Sequence, residues 1–162
     1  MQFLEDSGWQ FGYSFIQPHK MIGKAEPYKF FYTSNISLKR SFFKKERFNE
    51  NFNCYGWEDI ELGYRLWKKY DMRIYYEPTA IAYHHHEIQP SDLPKKMRNV
   101  GKSAVHFQRL QPEIQLIPTG LRSLVIRLVA NPLTLPLSKL GGKRFYYKVK
   151  SWQAFMAGVG DE

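Results

Sequence analysis

Cysteine is almost absent: Cys54 stands alone in 162 residues, which excludes an intramolecular disulfide framework and a cysteine-based zinc cluster and fits a reducing compartment. Acids are scarce as well. Fifteen Asp and Glu face 24 Lys and Arg, for a formal charge of +9. Such a surface attracts phosphates on nucleic acid, nucleotide sugar or anionic lipid, and charge alone does not choose among them. The first residues, with Glu5 and Asp6 among them, hold no apolar run of signal-peptide length, so export through the amino terminus is not expected and the chain reads as opening in mid-domain. There is no internal repeat or low-complexity tract, and no glycine-rich phosphate loop leads into a helix. No recognition motif accompanies the charge, so a nucleic-acid partner is not expected.

What the sequence has in abundance is aromatic residues, 12 Phe, 11 Tyr and 4 Trp, in a chain that is 43% hydrophobic. That is ample core material, unlike disordered composition. A chain of this length makes one ordinary domain, burying roughly two-thirds of its unfolded surface.

Residues 29–38, KFFYTSNISL, read as a strand running into a loop at Ser34 and Asn35, and residues 40–46 suit a short helix. From Trp57 to Lys69, Ile60, Tyr64 and Trp67 fall at helical spacing after Gly56. Acids Glu58, Asp59 and Glu61 fill the first turn and Arg65, Lys68 and Lys69 the last, which suits the helix macrodipole. Residues 72–77 read as a strand closed by Pro78, and a second extended piece leads to His84, His85 and His86. Beyond about residue 91 helical patterns take over. The segment 117–129 places Ile117, Leu121, Leu124, Val125 and Leu128 along one face. Residues 103–162 carry eight Lys and Arg against three Asp and Glu, a net +5 (8 − 3). Three cations and two prolines within 121–140 spoil a membrane span, so an amphipathic helix at an anionic membrane surface is the better reading.

The chemistry-bearing stretch is YGWEDIELGYRL, Tyr55 to Leu66. Two adjacent carboxylates at a helix start lie at a loop edge within reach of a ligand, where the positive helix end favours their ionised, proton-accepting form. The plainer reading is that acids in a first turn simply favour the helix.

Taken together, FGYSFI (Phe11 to Ile16), FYTSNISLKRSFF (Phe31 to Phe43), the loop with Phe48, Asn49 and Phe52, YGWEDIELGYRLWKK (Tyr55 to Lys69) and YYEPTAIAYHHH (Tyr75 to His86) resemble the family 2 glycosyltransferases of GT-A fold. They are similar also to the galactosyltransferase carboxyl-terminal domain. About residues 10–105 are covered. The resemblance implies an α/β fold, a partial GT-A (Rossmann-like, mixed-sheet) domain over residues 1–102, with a basic helical extension over 103–162. It implies Asp59 as the base that deprotonates the acceptor hydroxyl, Glu58 as the group orienting that acceptor, and Gly56 and Trp57 beside the sugar. Ser34 and Asn35 resemble the turn lining the donor sugar. For Trp57 a helix-start core role is the alternative. His84 and then His86 match the family's Pro-x-Ala-x-x-x-His pattern, and either suits a divalent cation, Mn2+ or Mg2+, or a diphosphate, though a run of His also suits a solvated strand end.

The implied activity is hexosyl transfer, with inversion, from a nucleotide-sugar donor to a glycan or lipid-linked acceptor, as in polysaccharide and cell-envelope synthesis. The expected location is cytoplasmic, peripheral on the inner face of the plasma membrane. One departure stands out. Asp6, Asp59, Asp71, Asp92 and Asp161 form no Asp-x-Asp, the motif that holds the donor's cation in such enzymes. The expectation is therefore an acceptor-side fragment, inactive alone, whose missing half or self-association would cover an exposed sheet edge. The alternative is a non-catalytic module that binds carbohydrate or a lipid headgroup.

Overall fold

The computed structural model describes residues 26–83 and 89–162. These fall into two compact units, one of residues 26–51 and 57–83, the other of 52–56 and 89–162. Helix makes up 58% of the described residues, and no sheet forms among them. This overturns the expected α/β, Rossmann-like mixed sheet.

The physical reason lies in the two segments read as strands. A strand is stable only when its backbone groups pair along a ladder. The first segment instead opens as a single 3-10 turn, Pro27–Phe30, with proline at a position that suits its fixed φ. The second, 72–77, shows no more than a single bridge at Ile74 among the described residues. Its apolar side chains Met72 and Ile74 are buried against helix-borne leucines, so they bury surface without a sheet.

The first unit is built on two helices, α1 (Arg40–Lys45) and α2 (Glu58–Tyr70). The helix expected over 57–69 forms almost as its charge pattern indicates. Leu62 and Leu66 of α2 meet Phe31, Met72 and Ile74 in the core, with Phe42 and Tyr70 packed around it. Gly63 makes this possible. A Cβ built there would lie 2.5 Å from Phe31 Cβ, far inside contact distance. Tyr28 closes another side, edge-on to Tyr64 and tilted over Trp67 at centroid distances of 5.1 and 5.2 Å.

A buried ion network fastens the loop after α1 to α2. Arg65 donates to Glu61 Oε1 at 2.7 Å, to Glu46 and to the Arg47 carbonyl at 2.6 Å. Lys69 donates to Glu46 at 2.7 Å. Glu61 is 1% exposed, so its charge depends on Arg65 for compensation. The Lys69 and Arg65 hydrogen bonds hold the Glu46 carboxyl below its ordinary pKa of 4.5.

The second unit comprises α3 (Asp92–Leu110), α4 (Gly120–Val129), a 3-10 turn at Leu137–Gly141, and α5 (Gly142–Gly160). Helices α3 and α5 are in backbone contact. Cβ atoms built at Gly101 and Gly158 would lie 2.2 Å from the Phe155 carbonyl and 1.9 Å from the Arg98 carbonyl. Arg98 then clasps Asp161 with two bonds of 2.6 Å. The 52–56 segment rests on α3 through the Ser103 hydroxyl, which donates to the Cys54 carbonyl at 3.0 Å, and through Phe52 edge-on to His106.

Gly63→Ala is expected to cost about 1–3 kcal/mol through overpacking, and Arg65→Met about 3–5 kcal/mol because Glu61 is left buried and uncompensated. The urea midpoint followed by far-UV circular dichroism checks both. Glu46 contributes stability above pH 4.5 that is lost as pH falls through its depressed folded value. Acid unfolding of Glu46→Gln should therefore show a shallower pH dependence in that range.

Candidate functional site

Helix α2 begins abruptly. Gly56 has φ +104° and Trp57 φ +74°, ψ −12°, two left-handed residues in succession. Glycine takes this conformation freely, whereas for a bulky aromatic it is strained. Strain of this kind persists where surrounding structure enforces it, often at ligand sites. The turn delivers Glu58 and Asp59 to the first helical turn.

Asp59 is half-buried and lies against the turn that follows Phe31. Its Oδ2 accepts the Thr33 N–H at 3.3 Å, and its Oδ1 accepts the Ile60 N–H at 2.8 Å. Burial raises the Asp59 pKa above its usual 3.8; the two backbone N–H bonds oppose that rise, and the Glu58 charge adds to it. The neighbouring Tyr32 hydroxyl is likewise pushed up, first by burial and then by the Asp59 charge. A carboxylate in this state holds a proton more strongly than one in water, the property required of a general base.

Glu58 differs. Its Oε2 is buried and has no hydrogen-bond partner among the described residues. A buried acceptor of this kind calls for a donor, such as a ligand hydroxyl. Ser34 and Asn35 are exposed. The Thr33 bond brings their turn to the start of α2, and the Asn35 amide donates to the Ala80 carbonyl at 2.8 Å. Asn35 thus ties that turn to the segment preceding the histidines. Gly56 belongs to the second unit, where an added Cβ would press on Val100 Cγ2 at 3.1 Å.

His84 and His86 lie outside the described residues, as does FGYSFI. Among the described residues no three His, Cys, Asp or Glu side chains converge on a point that would hold a metal ion. These residues alone therefore do not fit a divalent cation. Two participants escaped the sequence reading. Thr33 acts through its backbone N–H, which leaves no trace in residue identity. Tyr32 carried no spacing signal, because its proximity to Asp59 arises from tertiary packing.

Asp59→Asn removes the titration but not without cost. Asparagine keeps one acceptor oxygen for the Thr33 N–H and gives up the one that serves the Ile60 N–H, a pH-independent loss of about 1 kcal/mol, whereas the raised native pKa of Asp59 means that its ionisation above pH 3.8 disfavours the folded state. As pH rises from 3.8 through the raised value, the wild type should lose stability relative to Asp59→Asn. Paired urea titrations at acidic and neutral pH check this.

Two sequence relatives are validoxylamine A glucosyltransferases, from Streptomyces hygroscopicus subsp. jinggangensis (strain 5008) and subsp. limoneus. Each is 32% identical to this chain over 90 residues, 54% of the chain. The chain spans about one-fifth of these relatives, 21% of the first and 20% of the second. No family model matches the sequence, and no solved structure matches it. The two matches support a relationship to glycosyltransferases.

Proposed function

We propose that this chain carries the acceptor side of an inverting glycosyl transfer, of the kind its resemblance to family 2 enzymes implies. The observation that carries the reading is the carboxylate pair at the start of α2: Asp59 with its pKa raised by burial, and Glu58 with an unpartnered buried oxygen. The relationship to named glucosyltransferases supports it.

In this proposal Glu58 Oε2 accepts a hydrogen bond from one hydroxyl of a glycan or lipid-linked acceptor, and the left-handed Trp57 offers its face to the sugar ring. Asp59 takes the proton from the attacking hydroxyl. That oxygen then bonds to the anomeric carbon of the nucleotide sugar from the face opposite the nucleoside diphosphate, which departs. The exposed Ser34–Asn35 turn borders the donor sugar. A divalent cation belongs to the same proposal, with His84 and His86 as its ligands from this chain and the others supplied by polypeptide outside these residues, since the chain has no Asp-x-Asp. The chain alone is accordingly inactive.

The test combines acceptor binding with turnover. Saturation-transfer NMR on the chain should detect glycan or lipid-linked sugar acceptors without any donor. Glu58→Gln and Trp57→Ala should each weaken that binding by about tenfold, and Asp59→Asn should leave it within about twofold. With UDP- and GDP-sugars and Mn2+ the chain alone should give no transfer. Absence of acceptor binding would overturn the reading, as would transfer that survives Asp59→Asn. Transfer abolished by Asp59→Asn would establish the base and overturn inactivity alone.

A further inference from the structure

Helix α4 leaves its apolar face uncovered among the described residues. None of its residues is buried. Leu121, Leu124 and Leu128 are 78%, 59% and 61% exposed, and Leu133 and Leu140 in the turns that follow reach 87% and 89%. Single exposed leucines are ordinary, but the several that α4 carries on one face of one helix mark an interaction surface. At about 100° per residue, Leu121, Leu124, Val125 and Leu128 fall within an arc of about 100°. Arg122 lies beyond one edge of that arc and Arg127 beyond the other. Both are exposed, so their stems can cover the apolar rim while their guanidinium groups stay in contact with water.

A groove of about 490 Å³ runs beside this face. Its walls are Leu121, Val125, Ile126 and Trp152, with Arg122 and Lys148 as its cations. Arg122 sits over the Trp152 ring at 5.8 Å. Apolar walls beneath two cations suit an amphiphile with a negative head.

Charge selects the occupant. From Ile114 through Gly160 there are seven Lys and Arg and no Asp or Glu. A second copy of this chain would set like charge against like charge, and protein interfaces are poor in lysine. An anionic lipid surface supplies both the opposite charge and an apolar layer for the leucines. No described helix is long and apolar enough to cross a membrane, so insertion would be shallow. We propose that α4 and the turns bearing Leu133 and Leu140 form a docking surface for an anionic lipid bilayer, with the leucines in the headgroup boundary and Arg122 and Arg127 on lipid phosphates. This proposal is independent of the glycosyl-transfer reading.

Flotation of the intact chain with vesicles of phosphatidylcholine, with and without phosphatidylglycerol, tests it at low salt. The chain should float only with the anionic vesicles and be released as salt rises. Arg122→Gln/Arg127→Gln should weaken binding by about 30-fold. Leu124→Ser/Leu128→Ser should abolish flotation with far-UV circular dichroism unchanged; if that variant unfolds, the arginine pair still decides. Absence of flotation with anionic vesicles overturns the proposal, and so does equal flotation with neutral ones. A dimer in sedimentation equilibrium that dissociates in Leu124→Ser/Leu128→Ser overturns it in favour of a second copy.

Discussion

The seat of Phe31 on Gly63 governs the first unit. Because Gly63 has no Cβ, the Phe31 ring and its own Cβ come down onto the axis of α2, and Phe31 is 1% exposed as a result. Gly63 and Asp59 are four residues apart on α2, hence on one face and about 6 Å apart along the axis. Phe31 and Thr33 are two residues apart, and two residues of non-helical chain reach at most about 7 Å. A chain seated on Gly63 and running toward the amino end of α2 therefore arrives at Asp59 with the Thr33 N–H. The 3.3 Å bond between them follows from one missing methyl group four residues away.

The charges along α2 differ in how they are met. Glu61 in the first turn, Arg65 in the middle and Lys69 in the last turn pair with one another or with Glu46 from the loop after α1. At the amino end, burial works against Asp59, whose ionised form is disfavoured despite two backbone hydrogen bonds. Glu58 retains a buried oxygen with no donor. Both are costs to folding, and at Asp59 the Thr33 and Ile60 N–H groups offset only part of it. Ligand sites carry costs of this sort, because what destabilises the free protein is relieved when a ligand arrives.

What was legible in the sequence follows the range of each interaction. The extent of α2 could be read because its amphipathic spacing and its acid-to-base polarity are local properties, and the adjacent carboxylates could be read as a pair at a helix start. The failed strands show the limit. KFFYTSNISL has strand composition, yet strand formation depends on a ladder partner, and its aromatic side chains found a helix instead. In the sequence Arg65 shows only as one of the cations toward the carboxyl end of α2, because its partner Glu46 lies 19 positions away. Gly101 and Gly158 gave no periodic signal either, although they set the contact of α3 with α5. The left-handed Trp57 runs against the preference of its residue type and could only be seen in three dimensions.

Helix geometry also explains why two adjacent carboxylates need not do the same work. Neighbouring helical residues point about 100° apart, so when Asp59 faces the Thr33 turn Glu58 must face elsewhere. Their surroundings diverge accordingly: Asp59 receives two backbone N–H bonds and a half-buried, tyrosine-flanked setting, while among the described residues Glu58 keeps a buried oxygen without a hydrogen-bond partner. On the acceptor-side reading proposed above, carboxylates that diverge from one turn suit a base acting on one hydroxyl and an anchor holding another, and the divergence itself follows from placing the pair at consecutive positions of a helix start.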